Sequence, residues 1–265
     1  MTNNVVVAFS GGKDSTAMLL RMLELGEHID EIVFADPLFE FPELYDYLKR
    51  IELVIGRKIS IVKPKKDLFE FASQKVSRGF NKGLIRGLPL KAFPCWWMRE
   101  AKVLPIADLS QSDSIVCIGY AYDEQSRLSV MKDHNFRYPL VEWGWTEKDC
   151  VDYLNKRGLL NSLYVNFNRL GCYWCPKQSL SSWFVLWKNY PLLWIKSLEL
   201  DAWSVDHVGR GLLQSPLSDL QIRFENGFVP SSLPKYTCWG GCEGVKRAFE
   251  EMQCDLFQFN GVDDK

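Results

Sequence analysis

The chain has 265 residues, 47% of them hydrophobic and 25% charged, with a formal net charge of −1. Such a chain buries a sizeable core and is expected to form one α/β domain, with room for a smaller appended one. Balanced charge excludes a global field demanding nucleic acid or an anionic membrane. No apolar stretch is long enough to span a bilayer, and Met1 to Asn4 lead straight into the first apolar run. No membrane partner, no signal or transit peptide and a cytoplasmic location are therefore expected. In that compartment the eight cysteines are better read as ligands, thiols and core residues than as disulfides. The 10 tryptophans are expected to be core or lining.

In chain order, residues 5–9 form a β-branched apolar run that predicts a buried strand. It empties into Ser10-Gly11-Gly12-Lys13-Asp14-Ser15, and a helical pattern begins at Thr16. A strand, a glycine turn and a helix start together aim backbone N–H groups at an anion. Lys13 adds a full positive charge, and Ser10 and Ser15 add hydroxyls. The spacing of the ordinary NTPase P-loop is absent; the plain alternative is a Gly-Gly turn.

Residues 31–36 read as a second strand ending at Asp36, followed by a loop over 37–42 and a helix over about 43–55. Residues 58–62 predict a third strand, and Asp67 caps a helix expected to run to about Ser77. A fourth strand over 114–119 ends at Gly119. Strands alternating with helices predict a doubly wound, mostly parallel sheet, with ligands at the carboxyl ends of its strands. Thr146-Glu147-Lys148-Asp149 carries a capping-box-like signature for a helix ending at Gly158. Beyond Gly171 the chain is Trp-rich and helical. The expected organisation is a nucleotide-binding domain over 1–160 and a mainly helical, cysteine-bearing subdomain over 161–265.

Two short-spaced cysteine pairs, Cys172/Cys175 and Cys238/Cys242, suit a four-thiolate site for tetrahedral zinc or a [4Fe–4S] cluster. Core cysteines plus a redox pair is the plain alternative. Cys95 stands apart as a substitute ligand or a working thiol, with Arg99 and Lys102 expected to favour its thiolate. Cys117 and Cys150 are expected in the core. From Phe71 to Arg99 there is no acidic residue, while Lys75, Arg78, Lys82, Arg86, Lys91 and Arg99 recur among Phe80, Phe93, Trp96 and Trp97. Such a segment either closes over a nucleotide as a loop or binds single-stranded nucleic acid. His28, His134 and His207 show no ligand spacing.

The Ser-Gly-Gly-x-Asp-Ser motif resembles the PP-loop of the adenine nucleotide α-hydrolase-like enzymes. With residues 34–43, Gly119 to Arg127, Tyr138-Pro139-Leu140, residues 145–149 and Gly171 to Pro176, the chain resembles the phosphoadenosine phosphosulfate (PAPS) reductase-like family over most of 5–190. The resemblance implies that Ser10, Gly11, Gly12, Lys13, Asp14 and Ser15 bind phosphates, that Asp36 and Gly119 approach the nucleoside, and that Arg127 meets the anionic end.

It leans the cysteine site towards [4Fe–4S]. It also implies ATP or an adenylyl nucleotide with Mg²⁺, Lys13, Asp14 and Cys95 as the catalytic set, and a sulfur-donor protein or thioredoxin as partner. Ala121 stands where the family carries an arginine, leaving Arg127 or Lys132 to supply that contact. Cys254 lacks the glycine and histidine that flank the reductases' catalytic cysteine, and Glu250, Glu251 and Asp255 disfavour its thiolate. The reading is ATP-dependent adenylation with pyrophosphate release, coupled to sulfur transfer onto tRNA, DNA or a small metabolite. Adenylyl-sulfate or PAPS reduction with release of sulfite is the second reading. A non-catalytic adenine-nucleotide module with a structural metal is the third.

Overall fold

In the computed structural model, residues 4–109, 114–124, 135–213 and 215–231 are described. Arg127, Lys132, Cys238, Cys242 and Cys254 lie outside them. Five strands, β1 (Val5–Ala8), β2 (Glu31–Ala35), β3 (Ser60–Val62), β4 (Ile115–Ile118) and β5 (Phe136–Arg137), form one sheet in the order β3-β2-β1-β4-β5. Every pairing is parallel, with Val7 opposite Ile32 on one side and Cys117 on the other. Parallel strands covered on both faces need apolar side chains pointing both ways, which explains the unbroken apolar run of β1. Val7, Ile32, Phe34 and Cys117 join one core, while Val6, Val33 and Val116 form a separate cluster on the opposite face.

Helix α1 (Lys13–Glu24) and α2 (Pro42–Ile55) cover the first face through Met18, Leu19, Met22, Leu44, Leu48 and Ile51. Helix α5 (Leu104–Leu109) covers the other, with Ile106 against the smaller cluster. Helices on both faces make the sheet doubly wound, as expected. The order reverses between β1 and β4, and a crevice opens at such a point beyond the strand carboxyl ends.

Asp67 caps α3 (Leu68–Ala72) by accepting the Glu70 N–H at 2.8 Å. That helix stops at Ala72 and not near Ser77. The chain turns into a short antiparallel ladder bridging Lys75 and Ile85, with Gly79, Gly83 and Gly87 at positive φ. The helical path that resumes at α4 (Trp96–Met98) passes through a π-helical turn, Arg99–Val103, into α5. Sequence periodicity gave no sign of it.

Helix α6 (Pro139–Glu142) leads to α7 (Glu147–Lys156), which carries the expected capping box between Thr146 and Asp149. Cys150, Tyr153 and Leu154 bury α7 against α1. Helices α8 (Leu180–Asn189), α9 (Pro191–Val208) and α10 (Leu217–Glu225) pack through Trp183, Trp194 and Phe224. Buried Asp201 accepts the N–H groups of Leu212 and Leu217 at 2.7 and 2.6 Å, fixing the α9–α10 connection. Cys117 and Cys150 are fully buried, as the sequence implied. Among the described residues no helix is long and apolar enough to cross a membrane.

Two buried contacts position the site. A Cβ on Gly119, at the tip of β4, would lie 2.8 Å from Ser15 Cα and 2.9 Å from Ser15 N, so only glycine lets β4 abut the start of α1. Glu40, with a side chain 3% exposed, pairs with Lys102 at 2.8 Å and ties the β2–α2 loop to the π-helical turn.

We predict that Gly119→Ala destabilises the fold by about 1–3 kcal/mol, because backbone cannot step aside as a side chain does. Gly171→Ala, where a Cβ meets open space, leaves urea unfolding unchanged. Glu40→Gln removes the carboxylate from a partly exposed Lys102 and is expected to cost about 1–3 kcal/mol. The double variant Glu40→Gln/Lys102→Met recovers most of that loss in the same measurement.

Candidate functional site

The β1–α1 turn is built by its own hydroxyls. The Ser10 N–H donates to Ser15 Oγ at 3.2 Å, the two serine hydroxyls share a hydrogen bond at 2.9 Å, and Thr16 Oγ1 donates to the Gly12 carbonyl at 2.8 Å. Gly11 takes φ +69°, and an added Cβ would meet Leu44 Cδ1 at 2.6 Å, so the left-handed turn and its packing both require glycine. The first N–H groups of α1 have no acceptor inside their own helix, and they open towards the switch-point crevice. Asn161 Nδ2 donates to the Gly11 carbonyl at 3.2 Å, and the Lys13 N–H donates to the Tyr164 hydroxyl at 2.9 Å.

Lys13 Nζ reaches Asp14 at 2.7 Å and Glu147, the first residue of α7, at 2.9 Å. Burial works against the ammonium, yet the Asp14 and Glu147 carboxylates outweigh it and hold its pKa above the ordinary lysine value. Burial likewise pushes the Asp14 carboxyl up, with Lys13 opposing and Glu147 and Glu124 adding to the rise. A cation is thus held at the helix start between two carboxylates. An arriving polyanion can take over Lys13 by displacing Glu147, the more exposed partner. Asp14 and Glu147 are then free to face a divalent cation, a donor set of the hard-oxygen kind Mg²⁺ prefers.

Beyond β2, Asp36 is buried, and its Oδ1 accepts the Leu38 N–H at 2.7 Å and the Tyr45 hydroxyl at 2.8 Å. Leu38 sits at φ +68°, a left-handed position unusual for a branched residue. Ala121, two residues past Gly119, is fully buried, and the following Tyr122 N–H donates to the Trp145 carbonyl at 2.7 Å. Position 121 therefore packs, and it offers no anion contact.

The same β2–α2 loop holds the cysteine segments. Trp97 Nε1 donates to the Pro37 carbonyl at 3.2 Å, fixing the start of α4 just after Cys95. The Tyr173 N–H donates to the Phe39 carbonyl at 2.9 Å, and the Phe39 ring packs edge-on to Trp97 and Trp174. Cys172 and Cys175 share a tight turn in which the Cys175 N–H donates to the Cys172 carbonyl at 3.0 Å. All three are free thiols within electrostatic reach of one another.

Burial pushes the Cys95 thiol up, and Cys175 adds to the rise. The expected thiolate support from Arg99 and Lys102 is not what the fold delivers. Arg99 pairs with Glu100 at 2.8 Å, and Lys102 pairs with Glu40. Lys102 instead faces Cys172, whose thiol burial and Glu40 drive well above the ordinary value despite that lysine. Three soft sulfur donors suit a thiophilic metal or cluster. Among the described residues, though, no three His, Cys, Asp or Glu side chains are drawn closely enough to hold an ion as they stand.

Ser10 to Ser15 and Gly119 thus come together at one point, and Cys95, Cys172 and Cys175 at another. Tyr45 joins the end of β2 to the thiol side, bonded to Asp36 and within the field of Glu40 and Cys172. Glu147, Asn161 and Tyr164 at the turn, and Glu40 beside the thiols, were not singled out from sequence. Glu147 stood only within the capping-box segment and the family-like stretch 145–149, and Tyr164 left no signal.

A family model described as the phosphoadenosine phosphosulfate reductase domain matches residues 4–178. Two uncharacterised proteins of Methanocaldococcus jannaschii are similar. One is 27% identical over 207 residues, 72% of this chain and 40% of the relative. The other is 24% identical over 219 residues, 77% and 50%. The chain therefore spans half or less of the length of these relatives. Among solved structures, a PAPS reductase from Candida auris in complex with phosphate has 18% identity and a TM-score of 0.46, over 65% of this chain and 82% of that one. The U34-tRNA thiolase of Methanococcus maripaludis with its [4Fe–4S] cluster has 15% identity and a TM-score of 0.40, over 87% and 83%. The matched span takes in the glycine turn, the strand tips and the Cys172/Cys175 turn, and on it the chain belongs to the phosphoadenosine phosphosulfate reductase domain family.

Proposed function

We propose that this chain is an ATP-dependent enzyme that adenylates an acceptor and couples that step to sulfur transfer. The observation that carries the reading is the β1–α1 turn, where a helix start, two hydroxyls and a half-buried lysine converge on the sheet's switch point. In this reading Lys13 leaves Glu147 for the phosphates and steadies charge on the bridging oxygens. An acceptor oxygen attacks the α-phosphorus, the α–β bridge breaks, and pyrophosphate departs with the electron pair. A sulfur nucleophile from a donor then attacks the activated carbon, and AMP leaves with the carbon–oxygen bond's electrons. Asp14 would help hold Mg²⁺, which would supply charge neutralisation on the phosphates. Asp36 and Gly119 border the nucleoside, and Arg127 belongs to the anionic end.

For the sulfur step, Cys172 and Cys175 would hold two positions of a [4Fe–4S] cluster or a zinc ion. Cys238 and Cys242 would complete the set of four, with Cys95 the substitute for one of them. Such a group supplies a soft site that carries sulfur. The family also gives weight to a second reading, binding of finished PAPS or adenylyl sulfate and release of sulfite with thioredoxin as reductant.

Lys13→Ala is expected to weaken ATP binding by about 1.5–3 kcal/mol, the worth of a charge-assisted hydrogen bond. Calorimetry showing unchanged affinity for every adenine nucleotide would remove the phosphate site. Cys254→Ser is expected to leave activity nearly intact, whereas Cys95→Ser or Cys172→Ser abolishes sulfur chemistry. In a single turnover of PAPS with thioredoxin, sulfite that vanishes with Cys254→Ser would instead establish the reductase reading.

A further inference from the structure

We infer that residues 74–99 form an arm for single-stranded or looped nucleic acid and present it to the thiol segment. The inference deepens the reading above by naming the acceptor class. Six Lys and Arg and no Asp or Glu fall between Phe71 and Arg99, although the whole chain is net −1, so the rest of the molecule is net acidic. The fold makes this segment a projection. The Val76 N–H donates to Leu84 O at 2.8 Å, Gly83 N–H to Val76 O at 2.9 Å, and Arg86 N–H to Gln74 O at 2.8 Å. Its base is anchored, with Gly87 pressed on Val208 and the Lys91 N–H donating to Leu212 O at 3.2 Å.

The tip is not packed. Phe80 is fully exposed there with exposed Arg78 and Lys82, and nearer the base Phe93 is 52% exposed beside exposed Lys91 in the chain. An aromatic ring in water among cations does nothing for the fold. It does suit a ligand that alternates flat bases with phosphates, and only unpaired bases offer a face to stack on.

A second observation at the base of the arm also points to an acceptor-rich ligand. The Arg86 guanidinium lies 5.5 Å from the centre of the Trp96 ring, and among the described residues Arg86 Nε and Trp96 Nε1 are buried donors with no acceptor. Guanidinium and indole can only donate, and phosphodiester oxygens can only accept. Cys95, immediately before Trp96, faces Cys175. The base of the arm thus adjoins the thiol segment along the chain, where a strand held on the arm would meet it.

Fluorescence anisotropy with labelled oligonucleotides, without ATP, tests this independently of the nucleotide reading. ATP affinity measured separately on the same protein shows which of the two has failed. Single strands are expected to bind more tightly than duplexes, and single-stranded RNA and DNA arms separate the two sources of the same chemistry. Arg78→Glu/Lys82→Glu is expected to weaken binding at least about tenfold at low salt and to flatten the log–log salt dependence by roughly 1.4, for two phosphates lost. Phe80→Ala lowers single-strand affinity by about fivefold or more and leaves the salt slope in place. All three positions are exposed, so the variants should melt as wild type does. No binding of any single strand at low salt overturns the proposal. So does wild-type affinity in the double variant, which would assign the arm to an acidic protein partner.

Discussion

The loop between β2 and α2 spends nearly every residue on holding other segments, and both halves of the site depend on it. Asp36 takes the Leu38 N–H and the Tyr45 hydroxyl, the Pro37 carbonyl takes Trp97, the Phe39 carbonyl takes Tyr173, and Glu40 takes Lys102. Trp97 fixes the segment carrying Cys95, and Tyr173 fixes the turn carrying Cys172 and Cys175. The left-handed Leu38 is the backbone cost of threading these contacts through the six residues between β2 and α2. Because β2 is hydrogen-bonded to β1, the loop leaves the sheet beside the glycine turn.

Electrostatics divides the site into two unlike parts. At the β1–α1 turn a lysine is held charged between carboxylates, a state poised to exchange one anionic partner for another. At the thiol segment burial dominates, pushing Cys95 and Cys172 up, and Lys102, the ammonium that acts on Cys172, is already committed to Glu40. The first part suits phosphate binding, and the second suits soft ligation more than a free attacking thiolate. Adenylation followed by sulfur transfer uses both.

Much of this was legible in the residues. The run 5–15 identified strand, turn and helix because only glycine serves at Gly11 and because β1 is apolar on both faces. Thr146 and Asp149 announced their capping box directly. Residues 73–103 were less legible, since a helix cap at Asp67 says where α3 starts and nothing of where it stops. The π-helical turn mixes charged and apolar residues without period. Long-range partners left the least trace. Glu147 and Tyr164 reach Lys13 from more than a hundred residues away, and Lys102 was assigned to Cys95 because sequence shows proximity along the chain and not the buried carboxylate of Glu40.

The central claim is that the glycine turn serves α-phosphate chemistry on ATP. Its most direct test is the identity of the product when the chain is incubated with α-phosphate-labelled ATP, Mg²⁺, a sulfur donor and single-stranded nucleic acid. Labelled AMP, formed with an equal amount of pyrophosphate, is the predicted result. Labelled ADP, or intact ATP under conditions where PAPS yields sulfite, would contradict it.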